Sequence, residues 1–419
     1  VSAVGGAVEL VEHARAVSRP LPDAVGRALA ASRIVDAAPD PYVVGHWVLK
    51  AGSKVGAVSV TAPGAAPVTV RIIPKVPMAR LFFLLGYSLD PRGWRDGQVD
   101  VAEHREVLPV LAHAFERQTD RAIRAGVLQG YRTTEDTALV VRGRIREAEQ
   151  VRRRFGAALP VEIGYDEFTT DIPENRLLRA ATERLLRLPG VPRPVRARLL
   201  HQRTRLIDVT PLVRGQRLPE WRPSRLNARY HHALHLAEAV LDGASAEHRP
   251  GGLRIDGFLF DMNKVFEDFV CVALREALRP YGGRGVLQAR GVYLDEDERV
   301  RMRPDFVWYG DGNASRPLAV VDAKYKTEKK DGYPDADLYQ MLAYCTALGL
   351  PAGHLVYAKG NAPHAGHRVR EAGIVLHQHA LDLDRSPDGL LAEVSDLAGE
   401  MAAIAPERRS QVTTVPGPV

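Results

Sequence analysis

The sequence has 419 residues, 45% of them hydrophobic and 26% charged, which excludes wholesale disorder and suits about two or three globular domains. Its net charge of +6 permits a nucleic-acid partner without demanding one, and two cysteines, Cys271 and Cys345, exclude a disulfide framework or a Cys-based zinc site. The densest apolar stretch near the front, Leu81 to Leu85, is too short to span a bilayer, and Val1 to Leu10 carries no basic leader; a cytoplasmic protein with no membrane partner is expected. The first seventy or so residues read as short β-runs: Pro41 to Val44, Val55 to Thr61 and Val68 to Ile73. Pro74 closes the last of these, and Val76 to Leu89 reads as a strongly apolar helix. Val101 to Leu128 has helical periodicity, with Pro109 best placed in a first turn. Leu139 to Arg146 alternates apolar residues with Arg142, Arg144 and Arg146, as in a half-exposed strand. Arg152 to Arg154 extend that positive patch, which is either a solvated face or a contact for nucleic acid or a partner.

Asp171-Ile-Pro-Glu-Asn175 signals a helix start, and a second helix follows around Val195 to Leu206. Asn227 to Leu241 is amphipathic and carries His231, His232 and His235. His231 and His235 have the i, i+4 spacing of a metal pair, but no Glu follows His231, and exposed helix histidines are the simpler expectation. Ala246 to Gly252 is the best linker signal in the chain. Beyond it, Leu253 to Phe260, Val300 to Trp308, Leu318 to Lys324 and His354 to Ala358 read as strands. Met262 to Leu278, Asp337 to Leu348 and Pro387 to Ile404 read as helices, with a frayed tail from Pro406. The expected class is α+β: an N-terminal β/α region over 1–245 with a break near 75–100, a C-terminal α/β domain over 253–385, and a last helix and tail over 386–419.

Only nine of the 57 basic residues are lysine, and four of these, Lys324, Lys326, Lys329 and Lys330, fall together. A chain that otherwise uses arginine keeps compact ammonium groups there. Lys329 and Lys330 suit a solvated turn. Lys324 does not, because it stands two residues after Asp322 in a strand, so both project to one side while Ala323 faces away. Asp305, in Pro304-Asp305 of another strand, joins them. Two carboxylates and an ammonium at the mouth of a sheet fit metal-assisted phosphodiester hydrolysis. Asp305 and Asp322 would hold Mg2+, with Mn2+ as a substitute, and the Ala323 carbonyl could add a ligand. Lys324 would orient or deprotonate the attacking water and stabilise growing negative charge. Glu267, in the preceding helix, is the candidate extra acid. Gln340 and Tyr344, four apart in the following helix, share a face.

Asp261-Met-Asn-Lys-Val-Phe-Glu-Asp-Phe-Val270, Arg303-Pro-Asp305, Val321-Asp-Ala-Lys-Tyr-Lys326 and Asp337-Leu-Tyr-Gln-Met-Leu-Ala-Tyr344 resemble the signature blocks of the McrC family. Weaker similarity runs forward through Arg142-Gly-Arg144, Tyr165 to Asp171, Asn175-Arg-Leu-Leu178 and Ile73-Pro-Lys75. The Gln340-x-x-x-Tyr344 element is similar to the one that follows the catalytic lysine of RecB-like nucleases. The resemblance implies a PD-(D/E)xK restriction-endonuclease-like fold in the C-terminal domain. It also implies an N-terminal region that docks on a McrB-like AAA+ GTPase or ATPase hexamer and stimulates it. On that reading Glu267, Asp305, Asp322, Lys324, Gln340 and Tyr344 form the catalytic set. Asp305, Asp322, Ala323 and Glu267 are the metal ligands, DNA is the substrate, and a homodimer through the nuclease domain would cut both strands. No Gly-x-x-x-x-Gly-Lys-Ser/Thr loop occurs, in keeping with a motor supplied in trans. The competing readings are a stand-alone PD-(D/E)xK nuclease for repair or junction processing, a non-catalytic activator of an AAA+ motor, and an ordinary salt-bridged sheet.

Overall fold

The structure is a computed structural model that describes residues 7–63, 65–89, 91, 107–155, 157–188, 190–213, 216–242, 248–249, 253–311, 316–327, 335–359 and 364–405. Lys329, Lys330, the first six residues of the Val101 to Leu128 reading, the tail from Pro406 and all of the Ala246 to Gly252 linker except the short strand His248–Arg249 lie outside the described residues. The chain divides into two compact units: Val1–Pro74 with Arg95–Phe260, and Lys75–Trp94 with Asp261–Val419.

In the first unit a five-stranded sheet is built from Ala7–Val11, Val68–Ile73, Lys54–Thr61, Leu253–Asp261 and His248–Arg249, in that spatial order. A three-stranded sheet of Val17–Pro20, His46–Ala51 and Val35–Pro39 carries the helix Asp23–Ser32. Pro41 to Val44 is not a strand but the connection between two of these. Asp40 Oδ1 accepts from Tyr42 N at 2.8 Å, and Gly45 takes φ +78°, so the side chain of Asp40 builds the turn. Helices Val107–Ile123, Pro173–Arg187, Arg193–Arg205 and His231–Asp242 pack together on their apolar faces, with Pro109 in the first turn as the sequence requires.

The third sheet of this unit corrects the reading of Leu139 to Arg146. Its strands are Gly130–Ala138 and Val161–Thr169, with only Arg144–Ile145 added from the expected stretch. Gly143 explains the break: it has φ +79°, and a Cβ there would sit 2.4 Å from the Gly164 carbonyl oxygen, so the chain turns sharply to cross the sheet. The positive patch is also largely compensated. Arg146 pairs with Glu135 at 3.0 Å, Arg152 and Arg153 with Glu149 at 2.7 and 3.1 Å, and Arg154 with Glu162 at 3.2 Å. The guanidinium of Arg142 lies 4.5 Å from the centre of the Tyr165 ring. Nor are the histidines exposed. His231 and His235 are half-buried beside Trp221, with hydrogen bonds to Asn227 at 2.7 Å and to Glu238 at 3.4 Å.

The second unit is organised by a six-stranded mixed sheet in the order Arg284–Leu287, Phe306–Tyr309, Pro317–Thr327, Ala352–Lys359, Val375–Ala380 and His364–Arg368. Pro317–Thr327 pairs antiparallel with Phe306–Tyr309 and parallel with Ala352–Lys359. A parallel partner needs a crossover, and helix Asp335–Leu348 supplies it. Met341, Tyr344 and Cys345 of that helix bury against Val307, Val320, Leu355 and Tyr357. Helix Met262–Ala277 packs on Pro317–Thr327. Against it lie helix Pro387–Ile404 and helix Met78–Leu89, whose Phe83 and Tyr87 rings meet Phe269 at 5.5 and 5.6 Å.

Candidate active site

Strand register brings the two aspartates together. Phe306 stands opposite Val321, and continuing that antiparallel register by one residue sets Asp305 opposite Asp322. Asp305 is not inside a strand, as the sequence suggested, but in the irregular stretch just before Phe306–Tyr309. Pro304 has no N–H for a ladder, so the strand begins after it and the Asp305 side chain is released toward its neighbour. Ala323 N donates to Asp305 Oδ2 at 2.9 Å, pinning the carboxylate across the strand gap. Both aspartates are buried, Asp305 at 8% exposure and Asp322 at 2%.

Asp322 and Lys324 share one side of their strand and form an ion pair. Lys324 Nζ also donates to Gln340 Oε1 at 3.1 Å, so the crossover helix steadies the ammonium. Tyr344, one turn further along, is buried and its hydroxyl donates to the Arg303 carbonyl at 3.3 Å, holding the segment that leads into Asp305. Glu267, half-buried in helix Met262–Ala277, joins from the other side through Gln288, whose Nε2 donates both to Glu267 and, at 3.2 Å, to Asp305 Oδ1. All six expected residues therefore gather at one place. Gln288 was missed. No spacing motif marks it, since it acts by reaching back from the end of strand Arg284–Leu287.

Burial raises the pKa of Asp322, and the Asp305 carboxylate beside it raises it further, with Lys324 offsetting only part. Burial likewise raises Asp305 against the pull of the Ala323 N–H, and raises Glu267 with help from Asp268. Burial alone would lower Lys324, but the Asp322 and Asp305 carboxylates outweigh it and the net shift is upward, so the side chain is a firmly charged ammonium. Burial, then the same carboxylates, raise the Tyr344 hydroxyl, which stays neutral. Three carboxylates, Glu267, Asp305 and Asp322, thus gather around Lys324, and each is shifted toward its neutral form.

That donor set fits a hard divalent cation. Asp322 Oδ2 is buried against the Lys324 ammonium and accepts no well-aligned hydrogen bond. Among the described residues, no group of three or more His, Cys, Asp or Glu side chains is arranged to hold a metal ion by itself. Mg2+ does not need one, because it is usually held by one or two carboxylates while water and phosphate oxygens complete its shell.

The McrBC 5-methylcytosine restriction system component family matches residues 49–358, a span that includes every residue of this site. The chain belongs to that family. The McrC resemblance seen in the sequence is thereby borne out. Among solved structures, a chain of the half-complex from a tetradecameric assembly of Thermococcus gammatolerans McrB AAA+ hexamers with bound McrC is 16% identical, with a TM-score of 0.52 over 94% of this chain and 100% of that one. A chain of the Thermococcus gammatolerans McrBC complex is 18% identical, with a TM-score of 0.39 over 65% of this chain and 88% of that one. The first likeness shows a shared fold. No curated protein matches.

Proposed function

We propose that this McrBC-system component is its nuclease subunit: a PD-(D/E)xK-type, Mg2+-dependent DNA endonuclease driven by an AAA+ NTPase whose hydrolysis it stimulates. The observation that carries the reading is the buried Asp305–Asp322 pair with Lys324 ion-paired beside it. Asp305, Asp322, the Ala323 carbonyl and Glu267 are the residues that would hold the metal. When bound, Mg2+ supplies Lewis-acid polarisation of the scissile phosphate and a more acidic water.

This chain's own residues do the rest. Lys324, held charged by Asp322 and anchored by Gln340, is placed to orient water and to stabilise negative charge on the phosphoryl oxygens. Tyr344 keeps the Arg303-Pro304-Asp305 segment in position through the Arg303 carbonyl. The lack of a phosphate-binding Gly-Lys loop is in keeping with nucleotide hydrolysis by a separate motor, and the likeness to a chain from an assembly of McrB AAA+ hexamers with bound McrC supports that type of partner. A second copy of the chain would allow cleavage of both strands.

The test is plasmid cleavage with the cognate AAA+ protein and nucleotide. Mg2+ or Mn2+ should support it and Ca2+ should not, because its looser coordination misplaces the water. Asp305→Asn and Asp322→Asn should each abolish cutting while leaving motor stimulation intact. Undiminished cutting by either variant would sink the site assignment.

A further inference from the structure

Gln288 immediately follows strand Arg284–Leu287 and adopts φ +48°, in the left-handed region that side chains other than glycine and asparagine rarely take. It is held there by a backbone clamp: Gln288 N donates to the Asp305 carbonyl at 2.7 Å, and Ala289 N to the Pro304 carbonyl at 3.1 Å. The same Asp305 carbonyl receives the Cys271 thiol at 3.4 Å. From this position the Gln288 side chain turns onto the carboxylates, with Nε2 donating to Glu267 Oε1 and to Asp305 Oδ1. The amide orientation follows from chemistry, since both neighbours only accept when ionised and only the –NH2 end has two hydrogens to give. With Ala323 N on Oδ2, each oxygen of Asp305 has one neutral donor and retains lone pairs.

A glycine would suit this backbone better. Glycine takes positive φ nearby at Gly282, Gly283 and Gly291, and other residues such as Glu298 do so too; what sets Gln288 apart is that its side chain is engaged by two acids. Backbone strain retained at a site, with a side chain that bridges two of its acids, indicates that the side chain has work to do.

We propose that Gln288 is a positioning residue, whose carboxamide fixes the orientation and spacing of Glu267 and Asp305 for a divalent cation. This rests on the metal-site reading above. It acts as outer-shell hydrogen bonds do at metal centres, where their loss typically weakens metal binding by about 10- to 100-fold.

The experiment compares the full chain with Gln288→Gly, Gln288→Met and Asp305→Asn, measuring Mn2+ affinity by calorimetry and metal-free thermal stability on the same preparations. Gln288→Gly keeps the backbone N–H clamp and relieves the left-handed strain. It should melt no lower than the parent yet bind Mn2+ at least about tenfold more weakly. Gln288→Met keeps the length of the side chain without its donors and should show the same loss of affinity. Parental Mn2+ affinity in both variants, with binding abolished in Asp305→Asn, would overturn the role of Gln288 and leave the metal site standing. Loss of affinity that only tracks loss of melting temperature in both variants would make Gln288 a structural residue and also overturn the proposal. A parent protein with no Asp305-dependent Mn2+ binding would bring down the metal-site reading and this proposal with it.

Discussion

Lys324 stands where burial and ion pairing oppose each other, and pairing wins because two carboxylates face one ammonium. Lys324→Ala should therefore leave a folded protein whose plasmid cleavage falls about a hundredfold or more, while nucleotide turnover by the AAA+ partner is retained. Lys324→Arg should fail nearly as badly, since a planar guanidinium cannot occupy the place of a compact ammonium between Asp322 and Gln340. Retention of cleavage in both variants would reduce Lys324 to a surface lysine. In the first unit the comparable residue is Asp171, which is buried and takes hydrogen bonds from Arg176 at 2.7 and 2.6 Å, from Thr210 N and Oγ1 at 2.8 and 2.7 Å, and from Arg132. Arg176 first, and then Thr210, hold its carboxyl far below the usual carboxylate range despite burial. A depressed folded pKa gives stability that is fully present above the unfolded value of about 4 and is lost as pH falls toward the folded one. Asp171→Ala should cost on the order of 2–4 kcal/mol at pH 7, toward the lower end because both arginines keep some solvent contact. The deficit should shrink below about pH 4, where the parent loses the same interaction. Chemical denaturation at pH 7 and pH 3 measures both, and an equal deficit at the two values would refute it.

Helix Asp335–Leu348 is the element on which the site depends most, because it carries both Gln340 and Tyr344. Its seat on the sheet is set by Gly353, where an added Cβ would lie 2.5 Å from both Cys345 Sγ and Met341 Sδ. Gly353→Ala should push the helix outward, cost about 1–3 kcal/mol by overpacking, and slow cleavage by withdrawing Gln340 from Lys324. A protein with unchanged melting temperature and unchanged cleavage would show that the seat is not tight. Much of this element was legible in advance: the Gln340–Tyr344 spacing placed both on one face, and the structure keeps them there. The helix Pro387–Ile404 was equally legible, opening on Ser386, whose Oγ accepts from Gly389 N at 3.2 Å. The strand at Val161–Thr169 was not, because its buried half, Val161 to Gly164, is a short mixed run that acquires its regular pattern only by pairing with Gly130–Ala138.

For the whole molecule, no helix among the described residues is long and apolar enough to cross a membrane. With a net charge of only +6, and with much of the Arg142 to Arg154 patch committed to Glu135, Glu149 and Glu162, the isolated chain should bind DNA weakly and with strong salt dependence. Cleavage by the purified chain should rise sharply when the AAA+ partner and its nucleotide are added. Efficient, specific cutting without them would favour the stand-alone nuclease instead. What the sequence determined by itself was which residue types share a face and their local geometry. Residue types and i, i+2 or i, i+4 spacings are set by strand and helix periods, so Asp322 with Lys324, and Gln340 with Tyr344, could be paired before any fold was known. What only the tertiary structure decided depends on contacts between distant segments. These are the register that puts Asp305 opposite Asp322, the docking of Met78–Leu89 on Met262–Ala277, the neutralisation of the arginine patch, and the reach of Gln288 to two acids. Burial and pairing partners are fixed by packing, and no local period carries them.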